Sequence, residues 1–104
     1  MFICQWHINV LFGKQKEALR IMKEWAGESM SSSAFGKARS HRIIVGHIGV
    51  SASEIIHEVE FASLAEWESA LSEMSQTKFQ KFAESLAPLV VPGSQRWTVM
   101  KVVE

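Results

Sequence analysis

Strict alternation opens the chain: Phe2, Cys4, Trp6, Ile8 and Val10 fall on one side, Gln5, His7 and Asn9 on the other. A period of two marks a strand with one apolar and one polar face. Gly13 ends it, and from Lys14 to about Ala26 the period lengthens. Ala18, Ile21, Met22 and Trp25 recur at three- and four-residue spacing, with Lys16, Glu17, Arg20, Lys23 and Glu24 between them. That spacing predicts an amphipathic helix with Gly27 as its C-cap. Residues 28–40 are serine-rich and lack a helical stripe, so a loop or a frayed extension of the helix is expected there. A second strand is expected over 41–48, a hairpin turn over 49–53 and a third strand over 54–61. Ser63 and Glu66 have the spacing of a capping box, which opens a helix carrying Leu64, Trp67, Leu71 and Met74. A second helical piece carries Phe79, Phe82, Ala83 and Leu86. Pro88, Pro92 and Gly93 end the helical region, and residues 96–103 read as the last strand.

The order β-α-β-β-α-β implies an α+β, ferredoxin-like fold: a four-stranded antiparallel sheet with its helices on one face. Right-handed crossovers put strands one and three side by side in the middle. The set led by Trp6 should lie under the helices, and Gln5, His7 and Asn9 should point to the uncovered face. On strand three, Ile55, Val59 and Phe61 match the helix side, leaving Ile56, Glu58 and Glu60 beside His7. His7 is therefore expected within a few ångströms of Glu58 or Glu60, a pairing that favours both charged forms. The hairpin register stays open. An even-numbered match sets Arg42 and Ile44 with Glu58 and Glu60, and a shift of one residue brings in His41 and His47.

Composition narrows the field. The 104 residues fit one domain, 1–104, and a domain of this size buries only about two-thirds of its unfolded surface, so a second copy would add useful core. An apolar content of 47% with 21% charged residues argues against disorder. Eleven basic residues balance eleven acidic ones, so no basic face is available for phosphates and no nucleic-acid partner is expected. The N-terminus has no basic leader and no apolar run spans a bilayer. No membrane partner is expected, and a reducing cytoplasm is the expected location. Cys4 is the one cysteine, which excludes an intrachain disulfide and a multi-cysteine zinc or iron–sulfur site. With no aspartate and no tyrosine, all carboxylate chemistry falls to glutamates.

The element order, the polar side of the first strand and the stretch from Val59 through Glu60, Phe61, Ser63, Glu66 and Trp67 toward Phe79 resemble the dimeric α/β-barrel superfamily. Within it, the NIPSNAP-like and antibiotic-biosynthesis-monooxygenase-like branches look nearest. The resemblance covers nearly the whole chain and marks fold better than function. It implies a homodimer whose sheets pack face to face, with a cavity in each subunit between sheet and helices or within the barrel. It also implies binding of a small organic molecule, with cofactor-independent oxygenation or isomerisation as the chemistry. Some members bind and oxidise haem through an asparagine on the first strand and a tryptophan and histidine on the second helix. Asn9 and Trp67 match two of these, but residues 64–88 contain no histidine, so haem degradation is not expected and no cofactor is assigned.

The candidate residues follow from both readings. His7 is the candidate acid or base, Glu58 or Glu60 its orienting partner, and Gln5, Asn9, Arg42 and Trp67 the substrate contacts. The blander reading makes the His7 cluster a hydrogen-bonded network that sets dimer register, in a non-catalytic interaction or stress-response module. His41, His47 and His57 could ligate a transition metal with Glu58 supplying oxygen, but His57 and Glu58 point to opposite faces and the hairpin register is open, so no metal site is assigned. Trp6, Trp25, Trp67 and Trp97 could wall a cavity, though large aromatics in a small domain are usually core.

Overall fold

The computed structural model of the chain describes residues 1–103. Its strands are β1 (Phe2–Asn9), β2 (Ser40–Val45), β3 (Glu54–Phe61) and β4 (Arg96–Lys101). The helices are α1 (Gln15–Ser32), α2 (Leu64–Glu73) and α3 (Thr77–Leu86), with 3-10 turns at Ala34–Lys37 and Ala87–Leu89. The sheet order is β2-β3-β1-β4, antiparallel throughout, with β1 and β3 central. This is the expected α+β, ferredoxin-like arrangement.

Burial assigns the two faces. The fully buried sheet residues Cys4, Ile8, Ile55, Val59 and Phe61 all belong to one alternation set. Ile8 and Ile55 pack with Ala18, Ile21 and Met22 of α1 and with Phe79, Phe82 and Leu86 of α3. Cys4, Val59 and Phe61 pack with Ala70 of α2 and Phe35. All three helices therefore dress the same side. Burial also pushes the Cys4 thiol up to about 11, so it behaves as a small apolar filler.

Helix α1 outruns its expected end by six residues, and Gly27 lies exposed inside it instead of capping it. The buried stripe simply continues on small side chains, Ala26 and Ser29, which a search for large apolar residues passes over. Ser33 then turns the chain, its hydroxyl accepting from the Phe35 N–H at 3.1 Å. Phe35 is driven into the core against Phe61, with ring centroids 5.9 Å apart. At Gly36 a Cβ would sit 2.6 Å from the Met30 carbonyl oxygen, so glycine permits this tight return. The second strand is also shorter than expected, because the chain leaves the sheet after Val45.

The capping serine behaves as predicted: the Glu66 N–H donates to Ser63 Oγ at 3.2 Å and opens α2. Ser63→Ala should cost about 1 kcal/mol of unfolding free energy. Urea denaturation read by circular dichroism checks it, with a lowered midpoint and an unchanged slope expected.

Candidate functional site

On the uncovered face, strand pairing sets Arg42, Glu58, Gln5 and Thr98 in one row across all four strands. Arg42 Nε donates to Glu58 Oε2 at 2.6 Å, and Gln5 Nε2 donates to Glu58 Oε1 at 2.7 Å. Because Glu58 accepts at Gln5 Nε2, the Gln5 oxygen is turned toward Thr98, whose hydroxyl donates to it at 3.3 Å. Partial burial pushes the Glu58 carboxyl up, but the Gln5 bond and the bond and charge of Arg42 outweigh it, holding the group below its ordinary value.

His7 occupies the next row, directly opposite Ile56 and Arg96, and is buried. It reaches its partners diagonally: Nε2 lies 3.0 Å from Thr98 Oγ1, and Nδ1 lies 3.3 Å from Glu54 Oε1. The expected partner is thus corrected. Glu58 is held by the residues directly across from it, and Glu60 takes the Ser40 hydroxyl at 3.1 Å, leaving Glu54 for His7. Arg96 approaches the same Glu54 oxygen at 3.5 Å. His7 Nε2 faces the Thr98 hydroxyl and Nδ1 faces Glu54, with the donor at each contact set by the tautomer of the ring. Both ring nitrogens are engaged within the network. Asn9 sits beside Ser94 through its backbone, its N–H donating to Ser94 Oγ at 3.2 Å.

Trp67 is the site residue that the structure separates from this group. It lies on the helix side, edge to face with Trp97 at 5.7 Å. On that side the sheet and helices border a cavity of about 250 Å³, open on one side, whose lining includes Trp6, Trp25, Trp97, His57, Phe35 and Gln95. Trp6 meets Trp25 edge to face at 5.6 Å and stacks on Trp97 at 6.3 Å, forming an aromatic wall across β1, β4 and α1. A neighbouring recess toward residues 90–93 shares Trp6, Trp25, Ala83 and Gln95 with it.

His57 is the one titratable side chain in the cavity lining. Its Nε2 is buried without a hydrogen-bond partner, as is Trp25 Nε1. Burial first, and the nearby His41 second, lower its pKa from 6.5 to about 4, so it is neutral at physiological pH. A buried imidazole nitrogen without a partner carries a desolvation penalty. The strand alternation pointed to this placement, since His57 shares its parity with Ile55, Val59 and Phe61. His41 stacks edge to face on His57 at 6.1 Å, whereas His47 lies on the exposed loop after β2. Among the described residues, no three His, Cys, Asp or Glu side chains are grouped to hold a metal ion.

No protein-family model matches the chain, and neither does any curated protein. Solved structures do match. A NIPSNAP family protein from Agrobacterium tumefaciens superposes with a TM-score of 0.76 at 20% identity, covering 99% of this chain and 93% of the other. An uncharacterized NIPSNAP domain protein from Burkholderia xenovorans gives 0.78 at 12%, over 99% and 95%. SnoaB, a cofactor-independent oxygenase from Streptomyces nogalater, gives 0.72 at 12%, over 99% and 93%. The chain thus has the fold shared by NIPSNAP and antibiotic-biosynthesis-monooxygenase-like proteins.

A buried neutral histidine has a stability signature. Above pH 6.5 the folded and unfolded forms both hold His57 neutral. As pH falls from 6.5 to about 4 the unfolded chain takes up a proton that the fold resists, so stability drops, by on the order of 3 kcal/mol at full exposure of the difference. His57→Leu should flatten that part of the curve, measured as unfolding free energy against pH.

Proposed function

We propose that this protein binds a small, flat, largely apolar molecule in the cavity between its sheet and helices. The observation that carries this reading is an aromatic-walled space of about 250 Å³ bordered by His57, whose buried Nε2 has no partner. An engineered apolar cavity of about 150 Å³ takes benzene, so this one suits a molecule of roughly two fused rings. One polar group on that molecule, a hydroxyl or carbonyl, would pair with His57 once a side-chain adjustment bares its Nε2 to the cavity, since a neutral imidazole can accept or donate.

The enzymatic form of the proposal is cofactor-independent oxygenation or isomerisation of that molecule. His57 would be the acid or base, since it is the one titratable group in the lining. SnoaB, described as a cofactor-independent oxygenase, is a precedent on the same fold and no more than that. The His7 network supports a different role. Its bonds run across all four strands of the uncovered face with both imidazole nitrogens occupied, which suits a rigid platform for a second copy of the chain. We accordingly assign His7, Gln5, Glu58 and Arg42 to pairing, and the cavity to the ligand.

1-Naphthol is a suitable probe, followed by quenching of tryptophan fluorescence. The natural protein should bind it with saturation. Ala83→Trp, which fills the cavity from α3, should abolish binding with the fold intact, and His57→Leu should weaken it about tenfold, the loss of one buried hydrogen bond. His7→Ala should leave naphthol binding unchanged and raise the dimer dissociation constant in sedimentation equilibrium. Unchanged naphthol binding in Ala83→Trp would remove the cavity from consideration.

A further inference from the structure

Ten large apolar side chains are exposed among the described residues, and six of them, Leu11, Phe12, Val45, Ile48, Val50 and Val91, sit at one end of the sheet. Scattered exposed apolar residues are ordinary; a group of six at one end is not. The end is built from three connections, β1 to α1, β2 to β3, and the stretch before β4. Backbone bonds hold them together: Val10 N–H to the Ser53 carbonyl at 2.9 Å, Leu11 N–H to that of Leu89 at 2.8 Å, and Val91 N–H to that of Asn9 at 2.8 Å. The Gln15 amide also donates to the Ala52 carbonyl. Phe12 and Ile48 stand out furthest, at 103% and 88% relative exposure.

Charge says what covers this end. Lys14 and Lys16 are exposed within four residues of Phe12, against Glu17 alone among the exposed acids of that first turn. Glu54, the acid nearest the hairpin, is engaged by His7 and Arg96. Exposed apolar tips with Lys14 and Lys16 following Phe12 in the chain, opposed by Glu17 alone, are complementary to an anionic bilayer, where side chains enter the interface and lysines meet headgroups. We propose that this end docks on the surface of a membrane containing anionic lipid, with Phe12 and Ile48 as the inserting side chains. Docking of this kind departs from the sequence-based expectation of no membrane partner, and for surface contact only; no described helix is long and apolar enough to cross a bilayer. The recess lined by Val91, Pro92 and Gly93 opens beside this end and adjoins the aromatic cavity, so docking would place the cavity next to an apolar phase. Docking itself requires no occupant of the cavity.

The test is co-sedimentation of the ligand-free full chain with vesicles of phosphatidylcholine containing a minority of phosphatidylglycerol, and with vesicles of phosphatidylcholine alone. The natural protein should partition onto the mixed vesicles and bind the neutral ones about tenfold less. The pair Phe12→Ser with Ile48→Ser should lower partitioning about tenfold or more while leaving the thermal midpoint in place, because both side chains are exposed. Lys14→Glu with Lys16→Glu should remove the preference for anionic lipid. Absence of vesicle binding, or binding indifferent to the Phe12 and Ile48 substitutions, overturns the proposal. So does self-association of the natural protein that the Phe12 and Ile48 pair abolishes, which would assign this end to a second copy.

Discussion

Packing of all three helices against a single side of the sheet is the constraint from which the other features descend. A strand in such a sheet presents alternate residues to two environments, one closed and one open. In β1 this sends Cys4 and Ile8 into the core and Trp6 to the cavity wall, while Gln5 and His7 join the uncovered face. In β3 it sends His57 inward and Glu54 and Glu58 outward. In β4 it divides Trp97 from Arg96 and Thr98. Each of these three strands thus contributes both to the pocket and to the polar platform, separated by one backbone thickness.

The two faces solve the problem of buried polarity in opposite ways. On the uncovered side the polar groups connect in turn from Arg42 through Glu58, Gln5, Thr98 and His7 to Glu54, so the network is satisfied internally. A satisfied network gives rigidity and specifies register. On the helix side, His57 and Trp25 leave polar nitrogens buried and unmatched beside an apolar space. Such groups are costly when a site stays empty and favourable when a ligand supplies the missing partner. That contrast is why we propose a ligand beside His57 and subunit pairing at the His7 face.

Alternation alone made the sheet legible. Its parity placed Ile55, Val59 and Phe61 under the helices and Glu58 and Glu60 on the other side, and β3 runs over the expected residues 54–61. Three features were less accessible for physical reasons. The last turns of α1 are buried through Ala26 and Ser29, whose small side chains leave no apolar stripe. The partner of His7 depends on a diagonal contact and on Gln5 and Arg42 having already claimed Glu58, a competition that pairing rules by themselves do not resolve. The cavity gathers Trp25, Phe35 and Trp97 from elements far apart in the chain, so its walls exist only once the helices have packed. Trp67 was grouped with Asn9 and His7 by family likeness, although its element lies on the helix side of the sheet.

The most direct test of this partition is a crystal structure of the protein soaked with 1-naphthol. The account predicts ring density between Trp6, Trp25 and Trp97, with the hydroxyl within hydrogen-bond distance of His57 Nε2. Density on the His7 face instead, or a cavity closed by side chains and free of naphthol, would contradict it.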